Sequence, residues 1–262
     1  MDALTIGMIG GGRVARILLG GWTRAGLDVS HVVVSDADAQ VLERLRSEHP
    51  RVTVSDDNLR AAAQPIVVFA LHPPAFASAL PGIAATLPPS SVLVSLAPKW
   101  TMQAIAAALG GFDRLARVIP NAPSIVNKGY NPVAFSSALG ADSRARIRAL
   151  LAPLGACPEV AEETLEAYAI VAAMGPTYIW HQFYQLIDLG VAFGLSPDEA
   201  QRAVAAMVSG AVDTMVAFGL ARDAVMDLIP VKPLASLEPT VQQAYVDTLT
   251  ALHGKLKPPV AV

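Results

Sequence analysis

The sequence predicts an α/β fold in two parts, a doubly wound parallel sheet followed by an all-α region. Three observations carry this. Strand-length apolar runs recur through the first half, helical patterns separate them, and the strand signals stop after Glu159. The runs are LTIGMI (4–9), HVVVSD (31–36), IVVFAL (66–71), SVLVSL (91–96) and LARVIP (115–120). They are nearly continuous in Val, Ile and Leu, the pattern of parallel strands covered by helices on both faces. Between them, residues 13–25, 38–47, 75–85 and 101–109 place apolar side chains at helical spacing, and Asp38 and Thr101 stand where helix N-caps are expected. The change of pattern places a domain boundary near residue 160, giving domains over 1–160 and 161–262.

In the second part, residues 176–194 (PTYIWHQFYQLIDLGVAFG) are apolar around most of the helix circumference, which predicts a helix buried on every side. A region of about 100 residues supplies little core of its own, so a partner subunit is expected to cover it and the chain is expected to be a homodimer through these helices. His181, Gln185 and Asp188 form a narrow polar stripe on that helix, read as a hydrogen-bonded seam or as a relay. Ser196-Pro197-Asp198-Glu199 opens the next helix with an N-cap, a proline at the first position and acids beside the positive dipole end. A last amphipathic helix runs from about Pro239 to His253.

Composition narrows the function. Of 262 residues, 53% are hydrophobic and 16% charged, and the net charge is −3. Disorder is excluded, and scattered basic residues on an acidic chain exclude a nucleic-acid footprint. Mean hydropathy is +0.45, yet Pro, Gly or polar residues interrupt every apolar stretch before spanning length, so no membrane helix is expected. Asp2 stands where a signal peptide would be basic, and Cys157 is the single cysteine; both lead to a cytoplasmic expectation. Five histidines and one cysteine never approach metal-ligand spacing, so no metal is expected.

The first strand runs into Gly10-Gly11-Gly12-Arg13-Val14-Ala15. This G-x-G-x-x-A turn opens a helix, the arrangement of a Rossmann dinucleotide site: the first glycine makes the turn, the second admits the pyrophosphate, and the small residue lets helix and strand pack closely. Phosphates there meet unpaired N–H groups and the helix dipole. The other reading is a tight strand–helix turn without a ligand. Asp36 closes the second strand, near the offset of about 20 residues at which an acid binds ribose hydroxyls. No Arg or Lys follows it to receive a 2′-phosphate, so NAD(H) is favoured over NADP(H); Arg13, whose guanidinium can reach an adenosine phosphate, points the other way.

Several blocks together resemble the pyrroline-5-carboxylate reductase family: IGMIGGGRVA (6–15), ALHPP (70–74), ARVIPNAPSIVNKG (116–129) and AMGPTYIW (173–180). The resemblance runs through residues 4–200. It implies a Rossmann domain, a helical C-terminal domain interlocked with its twin in a dimer, and hydride transfer from NAD(P)H to a cyclic C=N bond. It further implies that Gly10, Gly12, Arg13, Val14, Asp36, His72, Pro73 and Asn121 line the cofactor, with Gly175, Pro176 and Thr177 near the substrate. Gly11 completes the turn.

The pattern departs from the family on the substrate side. In place of S-P-G-G-T-T the chain has Met226-Asp227-Leu228-Ile229-Pro230-Val231-Lys232-Pro233-Leu234-Ala235, the family's lysine in A-V-K-P is His72, and its A-G after the fifth strand is Pro98-Lys99. The expected reaction is hydride transfer to a small cyclic imine in an altered substrate pocket. Lys232 is expected either to hold a substrate anion as a point charge or to act as a general acid if burial lowers its pKa; otherwise it is a surface lysine. Asn121, at the carboxyl edge of the sheet, is expected to hold a carboxamide or a substrate oxygen, and Thr177 completes the catalytic candidates. Lys99 and Lys128 are further substrate-side cations or are simply solvated. Two alternatives stay open: reduction of a small keto acid, and a non-catalytic dimeric sensor that binds dinucleotide. The β-hydroxyacid dehydrogenase plan, with a lysine four residues past the glycine of the second domain, meets Ile179 at that position.

Overall fold

A computed structural model describes residues 5–71, 73–217 and 219–257. They fall into two compact units, one reaching to Met174 and resuming at Leu252, the other Gly175–Ala251.

The first unit is built on strands β1 (Ile6–Ile9), β2 (Val32–Ser35), β3 (Thr53–Ser55), β4 (Ile66–Phe69), β5 (Val92–Ser95) and β6 (Leu115–Val118), with helices α1 (Arg13–Arg24), α2 (Ala39–Glu48), α3 (Asn58–Ala62), α4 (Pro73–Ile83) and α5 (Met102–Ala108) between them. Short strands β7 (Gly129–Tyr130), β8 (Val133–Phe135) and β9 (Gly155–Ala156) follow, with α6 (Ala141–Leu151) between β8 and β9 and α7 (Leu165–Tyr168) after β9. Among the described residues one seven-stranded sheet has the order β3-β2-β1-β4-β5-β6-β8. Its pairs are parallel except β6 with β8. Ile6, Met8, Val32, Val34, Val68, Val92 and Val94 are buried in one core with Leu18, Leu19 and Trp22 of α1, so the continuous Val/Ile runs are covered as their composition requires. The Trp22 indole N–H donates to the Leu150 carbonyl at 2.9 Å, satisfying its polar end inside that core.

The two expected caps are present. Asp38 accepts from Gln40 N–H at 2.8 Å and Thr101 Oγ1 accepts from Ala104 N–H at 3.1 Å, each satisfying a donor that a helix start leaves open. Strands β3, β7, β8 and β9 are additions to the five expected.

The first helical segments after Glu159 stay with the sheet. Arg117 on β6 is 1% exposed and pairs with Glu162 at 3.0 Å and Glu166 at 2.6 Å, and burying a guanidinium requires such partners. Residues Ala169–Ala173 then form a π-helical turn, a widening of the backbone often found beside functional positions.

The second unit holds α8 (Gly175–Ala192), α9 (Pro197–Ala217), α10 (Arg222–Asp227) and the start of α11 (Glu238–Leu256). Helices α8 and α9 are joined by a turn closed by a reciprocal cap: Glu199 accepts from Ser196 N–H at 2.9 Å while Ser196 Oγ accepts from Glu199 N–H at 3.3 Å. Burial on every side of α8 is not realised within one chain. None of its residues is buried, and Tyr184 is 68% exposed. Among the described residues of this unit Ala200 alone is buried, while Ile179, Trp180, Leu186, Met207, Met215 and Leu228 stand exposed. These helices lack a core of their own and carry a broad exposed apolar surface. Among the described residues no helix is long and apolar enough to cross a membrane.

Candidate active site

In open parallel sheets ligands bind at the carboxyl ends of the strands. The β1 end is the glycine turn. Gly10 has φ +101°, and a Cβ there would stand 2.7 Å from the Ala70 carbonyl oxygen, so only glycine fits between β1 and β4. Gly12 differs: a Cβ on it would meet nothing within 4 Å. The backbone there faces open space at the N-terminus of α1, and no side chain caps that terminus. A pyrophosphate needs this combination, exposed N–H groups and room for close approach, so the turn fits a dinucleotide.

Asp36 lies at the β2 end. Its Oδ2 accepts from Gly11 N–H at 2.8 Å and its Oδ1 from Asp38 N–H at 2.9 Å. The acid is thus fixed beside the turn, with Asp38 adding a second carboxylate nearby. Arg13 and Val14 begin α1, Arg13 exposed and Val14 partly buried. Pro73 is the first residue of α4. His72 lies outside the described residues.

Asn121 follows β6 and is 9% exposed. Its Oδ1 accepts from Tyr130 N–H at 3.1 Å, and its Nδ2 donates to the Ala172 carbonyl at 3.5 Å. The amide therefore ties β7 to the π-helical turn, and one of its two N–H groups remains for another acceptor. Ser124 Oγ donates to Asn131 Oδ1 at 2.8 Å just behind it.

After β5, Lys99 adopts φ +71°, a left-handed conformation that costs a non-glycine residue about 1–2 kcal/mol. Its N–H donates to Glu166 Oε1 at 3.2 Å, the oxygen that also accepts from Arg117. Glu162 Oε1 receives Met102 N–H at 2.7 Å. Residue identities alone did not reveal this Arg117–Glu162–Glu166 group, in which Arg117 and Glu166 are buried and Glu162 partly so. The available signal was an arginine inside an apolar strand, with two glutamates one helical turn apart where the helical pattern begins.

Thr177 and Lys232 belong to the second unit. Thr177 lies in the first turn of α8. Lys232 lies in the exposed segment after α10, where its carbonyl accepts from Ala235 N–H at 3.1 Å. His181, Gln185 and Asp188 are all exposed on α8. Among the described residues no three His, Cys, Asp or Glu side chains gather as a metal-ligand set.

Comparisons with known proteins cover both units. A family model described as NADP oxidoreductase, coenzyme F420-dependent, matches residues 5–99, and one described as pyrroline-5-carboxylate reductase dimerisation matches residues 162–228. The pyrroline-5-carboxylate reductase of Corynebacterium melassecola is 27% identical over 214 residues, 80% of this chain and 79% of that protein. That of Pseudomonas aeruginosa is 26% identical over 77% of this chain and 74% of its own length. Over most of its length the chain is thus similar to pyrroline-5-carboxylate reductases. The fold agrees: the structure of Plasmodium falciparum pyrroline carboxylate reductase with NADP bound superposes with a TM-score of 0.85 at 20% identity, covering 98% of each chain. The Coxiella burnetii pyrroline-5-carboxylate reductase gives 0.71 at 23% identity over 96% of this chain and 94% of that one.

Residues 226–235, where the resemblance places S-P-G-G-T-T, carry Lys232 between Pro230 and Pro233, with Ile229 68% exposed.

Proposed function

We propose that the protein is an NAD(P)H-dependent reductase of a small cyclic imine of the pyrroline-5-carboxylate class, working as a homodimer through the helices of its second unit. The observation that carries this reading is that the two halves match together: a turn with an open cradle at Gly12 beside a fixed Asp36, and a segment over 162–228 that matches the family's dimerisation region.

Gly12, Arg13 and Val14 would receive the pyrophosphate at the N-terminus of α1, while Gly10 and Gly11, whose N–H groups are held by Ser35 and Asp36, would shape the turn around the cofactor. Asp36 would take the ribose hydroxyls, and its charge with that of Asp38 favours NAD(H) over NADP(H) by repelling a 2′-phosphate. By the resemblance, His72 and Pro73 would also line the cofactor. When bound, NAD(P)H supplies a hydride to the carbon of the C=N bond. Because a protonated imine is already an electrophile, the chain's task is to hold it at about 3–3.5 Å and in line with the ring that donates the hydride. Asn121 would orient a carboxamide or substrate oxygen with its remaining N–H. Thr177 would offer a hydroxyl on the substrate side. Lys232 would meet the substrate as a point charge or as proton donor in the rewritten loop. The exposed apolar faces of α8 and α9 support the homodimer. A cytoplasmic location fits the lone Cys157.

The test is steady-state oxidation of NADH and NADPH with pyrroline-5-carboxylate, 1-pyrroline and a small keto acid in parallel. Imine turnover supports the reading. Turnover of the keto acid alone makes it a carbonyl reductase, and tight NADH binding without turnover of any makes it a sensor.

A further inference from the structure

Lys99 stands in the loop after β5, at the carboxyl edge of the sheet, in the left-handed conformation. A lysine stays there when its surroundings over-determine the backbone, and the cause is visible. Its N–H is held by Glu166, and Met102 N–H by Glu162, both carboxylates sharing the buried Arg117 guanidinium. Both ends of the 99–102 segment are thereby clamped to one ion group centred on the buried Arg117. The Lys99 residue itself is exposed, and among the described residues no carboxylate lies within ion-pair distance of its ammonium.

The sheet order gives the direction in which a dinucleotide would lie. Asp36 marks the ribose end at β2 and the glycine turn marks the pyrophosphate at β1, while β4, β5 and β6 lie on the far side of β1 from β2. A dinucleotide running that way along the carboxyl edge carries its reacting ring to the β4–β5–β6 side, where the Lys99 loop and Asn121 emerge.

We propose that Lys99 is a substrate-binding residue whose ammonium takes the carboxylate of the imine, so that the dinucleotide-binding unit itself selects for an anionic substrate. This rests on the imine-reductase reading above. A backbone held in a strained geometry by this ion group fixes the point from which the Lys99 side chain starts, so the ammonium searches a smaller volume than on a free loop.

The test compares wild type with Lys99→Met, Lys99→Gly, Lys99→Arg and Lys232→Met at saturating cofactor. The substrates are pyrroline-5-carboxylate and 1-pyrroline, the same ring without the carboxylate. Lys99→Met and Lys99→Gly are expected to raise KM for pyrroline-5-carboxylate about tenfold, the scale of one charge-assisted contact, with kcat changed less than about threefold. KM for 1-pyrroline and the Kd of NADH stay the same, and Lys99→Arg retains most of the affinity. Lys99→Gly relieves the left-handed backbone and is expected to melt no lower than wild type, which separates lost binding from lost folding. An unchanged KM for pyrroline-5-carboxylate in Lys99→Met overturns the proposal, as does an equal rise for both imines. If wild type reduces neither imine, the function reading has failed, and the role of Lys99 falls with it.

Discussion

The N–H of Gly11 donates to Asp36 Oδ2 at 2.8 Å, which makes the turn after β1 and the acid after β2 one hydrogen-bonded unit. An anion-receiving backbone and a fixed carboxylate thus stand side by side, suited to a pyrophosphate joined to a ribose with free hydroxyls. Asp36→Ala is expected to weaken NADH binding about tenfold and NADPH binding less, narrowing the preference for NADH. Fluorescence titration with both cofactors measures this. An unchanged ratio would show that Asp36 does not read the ribose.

Removing Glu166 leaves the Arg117 guanidinium buried with Glu162 as its remaining carboxylate partner. Breaking a buried pair by deleting one member costs about 3–5 kcal/mol. Because Glu162 still serves Arg117, Glu166→Ala is expected at the lower end, about 3 kcal/mol in urea unfolding. A loss under about 1 kcal/mol would mean the pair behaves like a surface bridge.

Burial lowers the pKa of His49 from its ordinary 6.5, Arg16 adds to the shift, and Glu48 opposes it. The unfolded chain therefore binds a proton that the folded one refuses, so stability rises with pH across this window and is lost as pH falls below about 6.5. Glu48, lowered by its hydrogen bonds from Arg16, acts in the same direction below about 4.5, the ordinary value of that carboxyl. His49→Gln is expected to flatten the melting-temperature profile between pH 7 and 5 while leaving the drop at lower pH in place.

Burial pushes the Cys157 thiol from 9.0 to about 11. Since the thiolate is the nucleophile, native protein at pH 8 is expected to react with iodoacetamide about a hundredfold more slowly than the unfolded chain. Equal rates in the two states would contradict the burial.

The parts of the fold that were legible are those fixed by local chemistry. Val/Ile runs marked β1, β2, β4, β5 and β6, because parallel strands under helices must be apolar along their length. Asp38 and Thr101 were readable as caps because capping depends on neighbours two or three residues away. Strand β3 and strand β8 span three residues each, too short for a pattern, and their pairing is set by the sheet they join. The same holds at the site. Gly10 and Asp36 follow from spacing, whereas the bond from Tyr130 N–H to Asn121 and the clamp of Arg117 on the Lys99 loop join residues from separate elements. The full-circumference apolar character of α8 predicted burial on every side, whereas no residue of that helix is buried in the chain, because burial depends on what packs against a helix and its own composition does not supply that.

A hydride passed to an imine carbon held at the carboxyl edge of this sheet would be retained in the product. The most direct measurement is incubation with NADH deuterated at the transferable position and pyrroline-5-carboxylate, with mass analysis of the product. The account predicts proline one mass unit heavier, labelled at the former imine carbon, at a rate matching cofactor oxidation. Bound cofactor with no labelled proline would contradict it.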